Sequence, residues 1–163
     1  MTKNPYARYV EGLDPLRTLE QTPARIEQMV SSWNPEEFER SYAPGKWTAR
    51  QMLAHLAHTE IVFANRLRFG LAVEGYLVQP FDQDAWMAAE PHVDGYAALA
   101  VYLALRRMNL ALCRSLTPEQ RTRTFSHPEY GPIDLTWVLT GVAGHELHHL
   151  MQFETMELDR SRT

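Results

Sequence analysis

The last third of the chain carries an apolar stripe at helical spacing, and two histidines interrupt it. At about 100° per residue, eight side chains fall on one side of a single helix: Leu135, Val138, Val142, His145, His149, Gln152, Phe153 and Met156. Such a stripe packs against other elements, and an imidazole buried in it needs a polar partner. His145 and His149 lie one turn apart on that face, a spacing that allows both rings to bind one divalent ion.

A second helix contributes a third histidine. Thr48 and Gln51 have the spacing of a capping box, so a helix is predicted to begin there and to run to about Gly70. Its predicted inner face is formed by Met52, Leu56, Thr59, Phe63 and Leu67, with His55 at the edge. His58 is predicted to turn away towards solvent. Three inward imidazoles from two helices predict a metal site with an open position for water or substrate.

Prolines preceded by capping residues mark further helix starts. They occur at Asp14-Pro15, Thr22-Pro23, Asn34-Pro35 and Thr117-Pro118. We predict an amphipathic helix from Thr22 to about Asn34, a helical turn from Pro35 to Arg40, and a long buried helix from Gly95 to about Leu116. The segment from Phe125 to Pro132 is predicted to be a loop or a short extended piece, after which Asp134 begins the last helix.

The connection between the second and third long helices is unusually long. It runs from Leu71 to Pro91 and contains several prolines and glycines, so we predict a crossover with its own short helix. The fold class predicted from these elements is all-α, a four-helix bundle with a long crossover connection between helices 2 and 3. The interior of such a bundle is a usual place for a metal site.

Length and charge limit the domain count and the partners. With 163 residues, 45% of them hydrophobic, we expect a single domain over residues 1–163. A net charge of -4 argues against binding to nucleic acid or to an anionic membrane. The N-terminus lacks the apolar segment of a signal peptide, and the longest apolar run is too short to span a bilayer. We therefore expect a cytoplasmic protein that acts on a small molecule.

Several short motifs resemble the DinB-like (DinB/YfiT-like) superfamily in their order and spacing, roughly between residues 22 and 153. They are Trp47-Thr48, His55-Leu56-Ala57-His58-Thr59-Glu60, Arg66-Leu67-Arg68, Phe81-Asp82 with Trp86, Gly131, and His145-Glu146-Leu147-His148-His149 with Gln152. The resemblance implies a four-helix bundle that is frequently a homodimer. It also implies a divalent metal held by His55, His145 and His149, the same three residues that the helical faces select.

Three more residues are predicted to act at the site. Glu146 is predicted to be catalytic as a base, although it lies on the flank of the stripe, where an interhelical salt bridge or a solvated position is the alternative. Gln152 is predicted to be catalytic by bonding a ligand imidazole or a bound water, with helix capping or core hydrogen bonding as the alternative. Arg66, about three turns beyond His55, is predicted to bind an anionic group such as the carboxylate of a thiol cofactor, with a salt bridge or a surface arginine whose charged end reaches solvent as the alternative.

Other histidine patterns are weaker. His145-Glu146-x-x-His149 also matches the HExxH signature of zinc peptidases, but the sheet expected around that motif is missing from the predicted elements. His92 and His127, both beside prolines in connections, are predicted to lie at the surface.

Three functions fit an open three-histidine site. The first prediction is a metal-dependent transferase that uses a low-molecular-weight thiol on a small electrophile, as the resemblance also implies for some relatives. The alternatives are a hydrolase that uses metal-bound hydroxide and a non-catalytic metal-binding stress protein. The ion is predicted to be Zn, Ni or Fe, since imidazoles alone do not identify it.

Overall fold

Four long helices dominate the computed structural model, which describes residues 3–161. They are α1 (Pro15–Val30), α3 (Ala49–Ala72), α5 (Gly95–Ser115) and α7 (Leu135–Arg160). The shorter elements are a 3-10 turn (Ala7–Val10), α2 (Pro35–Phe38), α4 (Gln83–Ala89), α6 (Pro118–Thr122), and the strands β1 (Thr124–His127) and β2 (Gly131–Asp134). The predicted helical bundle is therefore confirmed, and α4 is the predicted short helix of the crossover.

The predicted capping residues fix where α3 and α7 begin. Thr48 and Gln51 form the predicted capping box, with the Thr48 N–H donating to Gln51 Oε1 at 2.9 Å. At α7, the Asp134 carboxylate accepts a hydrogen bond from the Trp137 N–H at 2.7 Å. Because these caps set the first turn of each helix, they also set which side chains of α3 and α7 face each other.

One predicted helix start is wrong. The first long helix begins at Pro15, capped by Asp14, and continues through Thr22 and Pro23 to Val30. The Thr22 hydroxyl donates to the Thr18 carbonyl at 2.9 Å within the helix instead of capping a new one. Pro23 has no N–H for the Leu19 carbonyl, and the Arg106 side chain on α5 donates to that carbonyl at 3.0 Å. A tertiary contact thus supports a proline inside the helix.

The buried apolar side chains form two clusters along the bundle. Helices α3 and α5 both run from the first cluster to the second, since Met52 and Tyr102 belong to the first and Phe63 and Leu110 to the second. Two packed helices that run in the same direction need a connection that returns along the bundle. This explains the long segment between Ala72 and Gly95.

A short hairpin closes one end of the bundle. Strands β1 and β2 are antiparallel, with Phe125 opposite Ile133, and both side chains are buried in the second cluster. The segment predicted as a loop or a short extended piece is therefore a two-stranded hairpin, whose turn at residues 128–130 leads into Gly131 with a φ of 69°. None of the helices described for residues 3–161 has the length and hydropathy of a membrane-spanning segment.

Candidate metal centre

Three imidazoles from α3 and α7 converge between the two apolar clusters. The His55 and His145 Nε2 atoms lie 2.8 Å apart, and the His149 and His145 Nε2 atoms lie 3.1 Å apart. All three residues are buried. Tetrahedral ligand nitrogens around zinc lie about 3.3 Å apart, given a Zn–N distance of about 2.0–2.1 Å. The predicted three-histidine group is therefore present: two of the nitrogen separations are within about half an ångström of ligand spacing, and the candidate ligand atoms of all three residues lie within 4.8 Å of one another.

The surroundings favour the neutral form of all three rings. Burial first, then the neighbouring His149 and His58, lower the pKa of His55 to about 3. Burial lowers the pKa of His149 to about 4, against the opposing effect of its hydrogen bond to Gln152. Burial and the neighbouring imidazoles hold the pKa of His145 well below its usual value. Neutral imidazole is the form that binds a metal.

The space between the rings suits a cation better than hydrogen bonding alone. The Nε2 atom of His145 faces the Nε2 atoms of both His55 and His149. If all three nitrogens carried a proton, their N–H groups would repel one another in that space. A divalent ion there would accept a lone pair from each ring at once. Among residues 3–161, no fourth histidine, cysteine or carboxylate joins this group, so a bound ion keeps a position for another ligand.

Gln152 orients the His149 ring. Its amide oxygen lies 2.7 Å from His149 Nδ1, and its amide nitrogen lies 3.3 Å from His148 Nε2. With the oxygen accepting from the Nδ1–H of His149, the lone pair of His149 Nε2 faces the other two histidines. This contact corresponds to the predicted hydrogen bond to a candidate ligand imidazole.

Aromatic rings enclose the group. The ring of Tyr6 meets His145 edge-on with centroids 5.0 Å apart, and Trp47 lies 4.9 Å from His55. Phe81 stacks parallel to His55 at 6.0 Å. Such rings limit the rotation of the imidazoles and keep bulk water away from them.

The N-terminal segment that carries Tyr6 rests directly on α7. Asn4 donates to the Trp137 carbonyl at 2.8 Å. A Cβ atom on Gly144 would lie 2.2 Å from the Tyr6 carbonyl oxygen, and one on Gly141 would meet the Asn4 amide. The two glycines therefore allow the close approach that brings Tyr6 to His145.

Two histidines were placed wrongly from the sequence. His58 is not exposed to solvent; it is 3% exposed, packs against Trp86 and lies 3.1 Å from a Glu90 carboxylate oxygen, because α4 covers that face of α3. His127 is not a surface residue either, since the hairpin folds it against Tyr130. His92 is exposed, as predicted.

Glu146 points into a separate buried network between α3, α5 and α7. Its carboxylate accepts hydrogen bonds from the Tyr102 hydroxyl and from Arg106 Nη1, the latter at 2.7 Å. Arg106 also donates to Glu60 at 2.6 Å, and Asn109 donates to the second Glu60 oxygen at 3.0 Å. Burial and the charge of Glu60 raise the pKa of Glu146 well above its usual value. The contacts of Glu146 are those of the interhelical salt bridge rather than of a base beside the histidines.

Sequence reasoning missed the other members of that network. Glu60, Arg106 and Asn109 are each at most 2% exposed. Arg106 and Asn109 stand in an Ala- and Leu-rich helix that was correctly predicted to be buried. A cation in a helix predicted to be buried requires an acidic partner. Arg106 in the sequence of α5 therefore indicated a buried ion pair.

A cavity of about 220 Å³ begins beside His55 and His145. Its wall includes Tyr6, Thr59, Arg66, Phe81, His127 and Tyr130. Arg66 thus lines the same cavity as two of the histidines, on the face where the sequence placed it. A second cavity of about 230 Å³ lies beside His149 and Gln152. The histidine group is therefore bordered by cavities on two sides.

Known proteins with a similar sequence have names that refer to a metal. A protein of Oceanobacillus iheyensis is 29% identical over 142 residues, covering 86% of this chain and 83% of the relative. YfiT of Bacillus subtilis is 30% identical over 138 residues, covering 83% of this chain and 78% of YfiT. Both are named, provisionally, as metal-dependent hydrolases.

Solved structures show the same architecture. YfiT superposes with a TM-score of 0.81 at 26% identity, covering 99% of this chain and 90% of YfiT, and its bundle topology is described as unusual. A mycothiol-dependent maleylpyruvate isomerase superposes with a TM-score of 0.71 at 15% identity, covering 88% of this chain and 62% of the isomerase. At that identity the likeness concerns the fold alone.

The family assignment follows from the extent of the sequence match. The profile of the DinB superfamily matches residues 18–153, which include all four long helices in whole or in part and all three clustered histidines. The chain belongs to the DinB superfamily.

Proposed function

We propose that this chain is a metal-dependent enzyme in which His55, His145 and His149 hold one divalent ion beside a substrate cavity. The convergence of three histidine Nε2 atoms, with His55 and His145 in the wall of that cavity, carries the proposal. A bound ion supplies Lewis acidity that lowers the pKa of a water or thiol in its open position. The lack of a fourth ligand within residues 3–161 favours an enzyme over a purely structural ion.

The residues around the histidines prepare this site. Gln152 holds the His149 ring so that its Nε2 faces the other two, and Phe81 and Trp47 pack against His55. Tyr6 shields His145 from the other side. Their shared effect is to keep the ligand rings in place and the site poor in bulk water, which strengthens electrostatic interactions there.

The first candidate for the reaction is transfer of a low-molecular-weight thiol to a small electrophile. Glu146 is bonded within its own network, and the acidic residues beside the two cavities, Glu129 and Asp84, are exposed. Attack by water is helped by a general base within hydrogen-bond reach, whereas a thiol ionises far more readily than water. A site where no carboxylate of residues 3–161 is positioned as a base therefore suits a thiol better.

The thiol in this proposal comes from outside the chain. Cys113 is the single cysteine of the sequence, and it is fully buried between the helices. Burial raises the pKa of its thiol to about 11, so it does not supply a thiolate at neutral pH. A small thiol that reaches the cavity is required instead.

The second candidate is hydrolysis of a small ester or amide. The names of the Oceanobacillus and Bacillus relatives favour it. It requires the ion alone to lower the pKa of water far enough for attack at neutral pH.

One pair of assays separates the two candidates. Metal-loaded protein is mixed with a reactive aryl halide, with and without a small thiol, and both thiol consumption and halide release are followed. The first candidate predicts one thiol consumed per halide released and no turnover without thiol. The second assay uses a small ester, and its hydrolysis without thiol favours the second candidate. His149→Ala is expected to abolish either activity, and His92→Ala, which removes an exposed histidine, is the matched control. Full activity of His149→Ala would refute the proposed site.

A further inference from the structure

Arg66 is a partly buried cation without a counter-ion in contact. Within residues 3–161 its guanidinium makes no hydrogen bond or salt bridge, and its Nε atom is buried without a partner. Burial lowers the pKa of Arg66, against the opposing electrostatic effects of Tyr76, Tyr130 and Glu129. Burying part of a guanidinium in a cavity wall without a bonded anion costs free energy. A ligand that brings an anionic group into the cavity offsets this cost.

His127 lies in the same wall and offers a second donor. Its Nδ1 atom accepts a hydrogen bond from the Glu129 N–H at 3.1 Å. In the neutral ring the proton therefore sits on Nε2, which has no hydrogen-bond partner among residues 3–161. Burial first, and then the positive charge of Arg66, lower the pKa of His127, which favours the neutral ring. Two donors of the cavity wall thus lack acceptors.

The inner stripe of α3 links these donors to the histidine group. His55, Thr59 and Arg66 line one cavity at positions i, i+4 and i+11. The Thr59 hydroxyl is also buried without a hydrogen-bond partner among the described residues. At about 1.5 Å per residue, the Cα atoms of His55 and Arg66 are separated by about 16 Å. Because helical side chains lean towards the N-terminus, the arginine side chain shortens that gap.

We propose that Arg66 and His127 form a subsite for the carboxylate of an elongated small molecule whose other end reaches the three histidines. The guanidinium and the imidazole N–H match the two oxygens of a carboxylate. Glu129 offsets part of the local positive charge, so a monoanion fits better than a dianionic phosphate. This proposal rests on the proposed function, since it names the class of substrate that the same site takes.

A pair of thiol probes tests the subsite. Mercaptohexanoate and its neutral counterpart mercaptohexanol are titrated into Co²⁺-loaded protein, and binding is followed by the Co²⁺ absorption and by calorimetry. The wild-type protein is expected to bind mercaptohexanoate about tenfold to hundredfold more tightly than mercaptohexanol, the range for a charge-assisted hydrogen bond. Arg66→Met removes this preference, and Arg66→Lys retains part of it. Arg107→Met, which removes an exposed arginine of α5, behaves as wild type.

The possible outcomes separate this proposal from the proposed function. Equal binding of the two probes by the wild type, or a preference that survives in Arg66→Met, overturns the carboxylate subsite. Failure of the wild type to bind Co²⁺ overturns the metal site instead. In that case hexanoate and hexanol are titrated into the metal-free protein, where an Arg66-dependent preference for hexanoate still supports the subsite and its absence refutes it. Circular dichroism checks that each variant is folded.

Discussion

The buried network of Glu60, Arg106 and Glu146 contains one cation and two carboxylates, so substitutions of the cation and of a carboxylate are expected to differ in their effect on stability. Arg106 is the cation between two carboxylates, and it donates to both of them and to the Leu19 carbonyl. Arg106→Met removes the cation that pairs with both carboxylates and the donor of that carbonyl, while Tyr102 and Asn109 still donate to Glu146 and Glu60. Breaking a buried ion pair from one side costs about 3–5 kcal/mol, so we expect a loss of unfolding free energy of that size or more.

Glu146→Gln is expected to cost much less. The glutamine keeps nearly the same shape, and Arg106 retains Glu60 as its partner. The charge that is removed is one that burial and Glu60 already disfavour. What remains is the weakening of the hydrogen bonds from Arg106 and Tyr102, which then meet a neutral amide instead of a carboxylate, so we expect a loss of about 1–2 kcal/mol.

Urea unfolding of both variants and of the double variant measures these losses. In the double variant only one carboxylate is left without Arg106, so its loss is expected to be smaller than the sum of the two single losses. A loss for Glu146→Gln that equals or exceeds the loss for Arg106→Met would refute the reasoning. Metal content is a second readout, because a residue outside the histidine group leaves it unchanged.

Three other measurements probe the remaining parts of the structure. In metal-free protein the three clustered histidines have pKa values below the usual 6.5, so the fold favours neutral rings, and unfolding free energy is expected to fall as pH drops from about 6.5 towards 4. The unfolding free energy changes by up to about 1.4 kcal/mol per pH unit for each such ring. Urea unfolding in a chelator at pH 7 and pH 5 checks this, and equal unfolding free energies at the two pH values contradict it. Gly144→Ala is expected to reduce the unfolding free energy by about 1–3 kcal/mol, because its Cβ would meet the Tyr6 backbone. Gly141→Ala is expected to cost less, because its Cβ meets only the end of the Asn4 side chain. Thermal unfolding in which Gly141→Ala is the less stable variant would contradict this packing. The homodimer implied by the sequence resemblance predicts the mass of two chains in light scattering, and the mass of one chain would rule it out.

The features predicted best from the sequence depend on local patterns. The capping box at Thr48 and the cap at Asp134 set the starts of α3 and α7, and the 3.6-residue period then places His55, His145 and His149 inside. Each of these signals lies within a single helix and its cap. The histidine group could therefore be predicted although its members come from distant parts of the chain.

The features that were missed depend on tertiary partners. Pro23 is accommodated inside α1 because Arg106 donates to the carbonyl that the proline leaves free. His58 is buried because α4 covers it, and the length of the crossover did not reveal which face of α3 it would cover. Glu146 was correctly placed on the flank of α7, but the identity of its partner on α5 could not be read from its own helix.

Metal content measured by elemental analysis tests the three-histidine site most directly. The wild-type protein, loaded with a divalent ion and passed through a desalting column, is expected to retain one ion per chain. His55→Ala and His149→Ala are each expected to lose it, while His92→Ala, at an exposed position, retains it. A full equivalent of metal in folded His149→Ala protein would contradict the central claim that these imidazoles hold the ion.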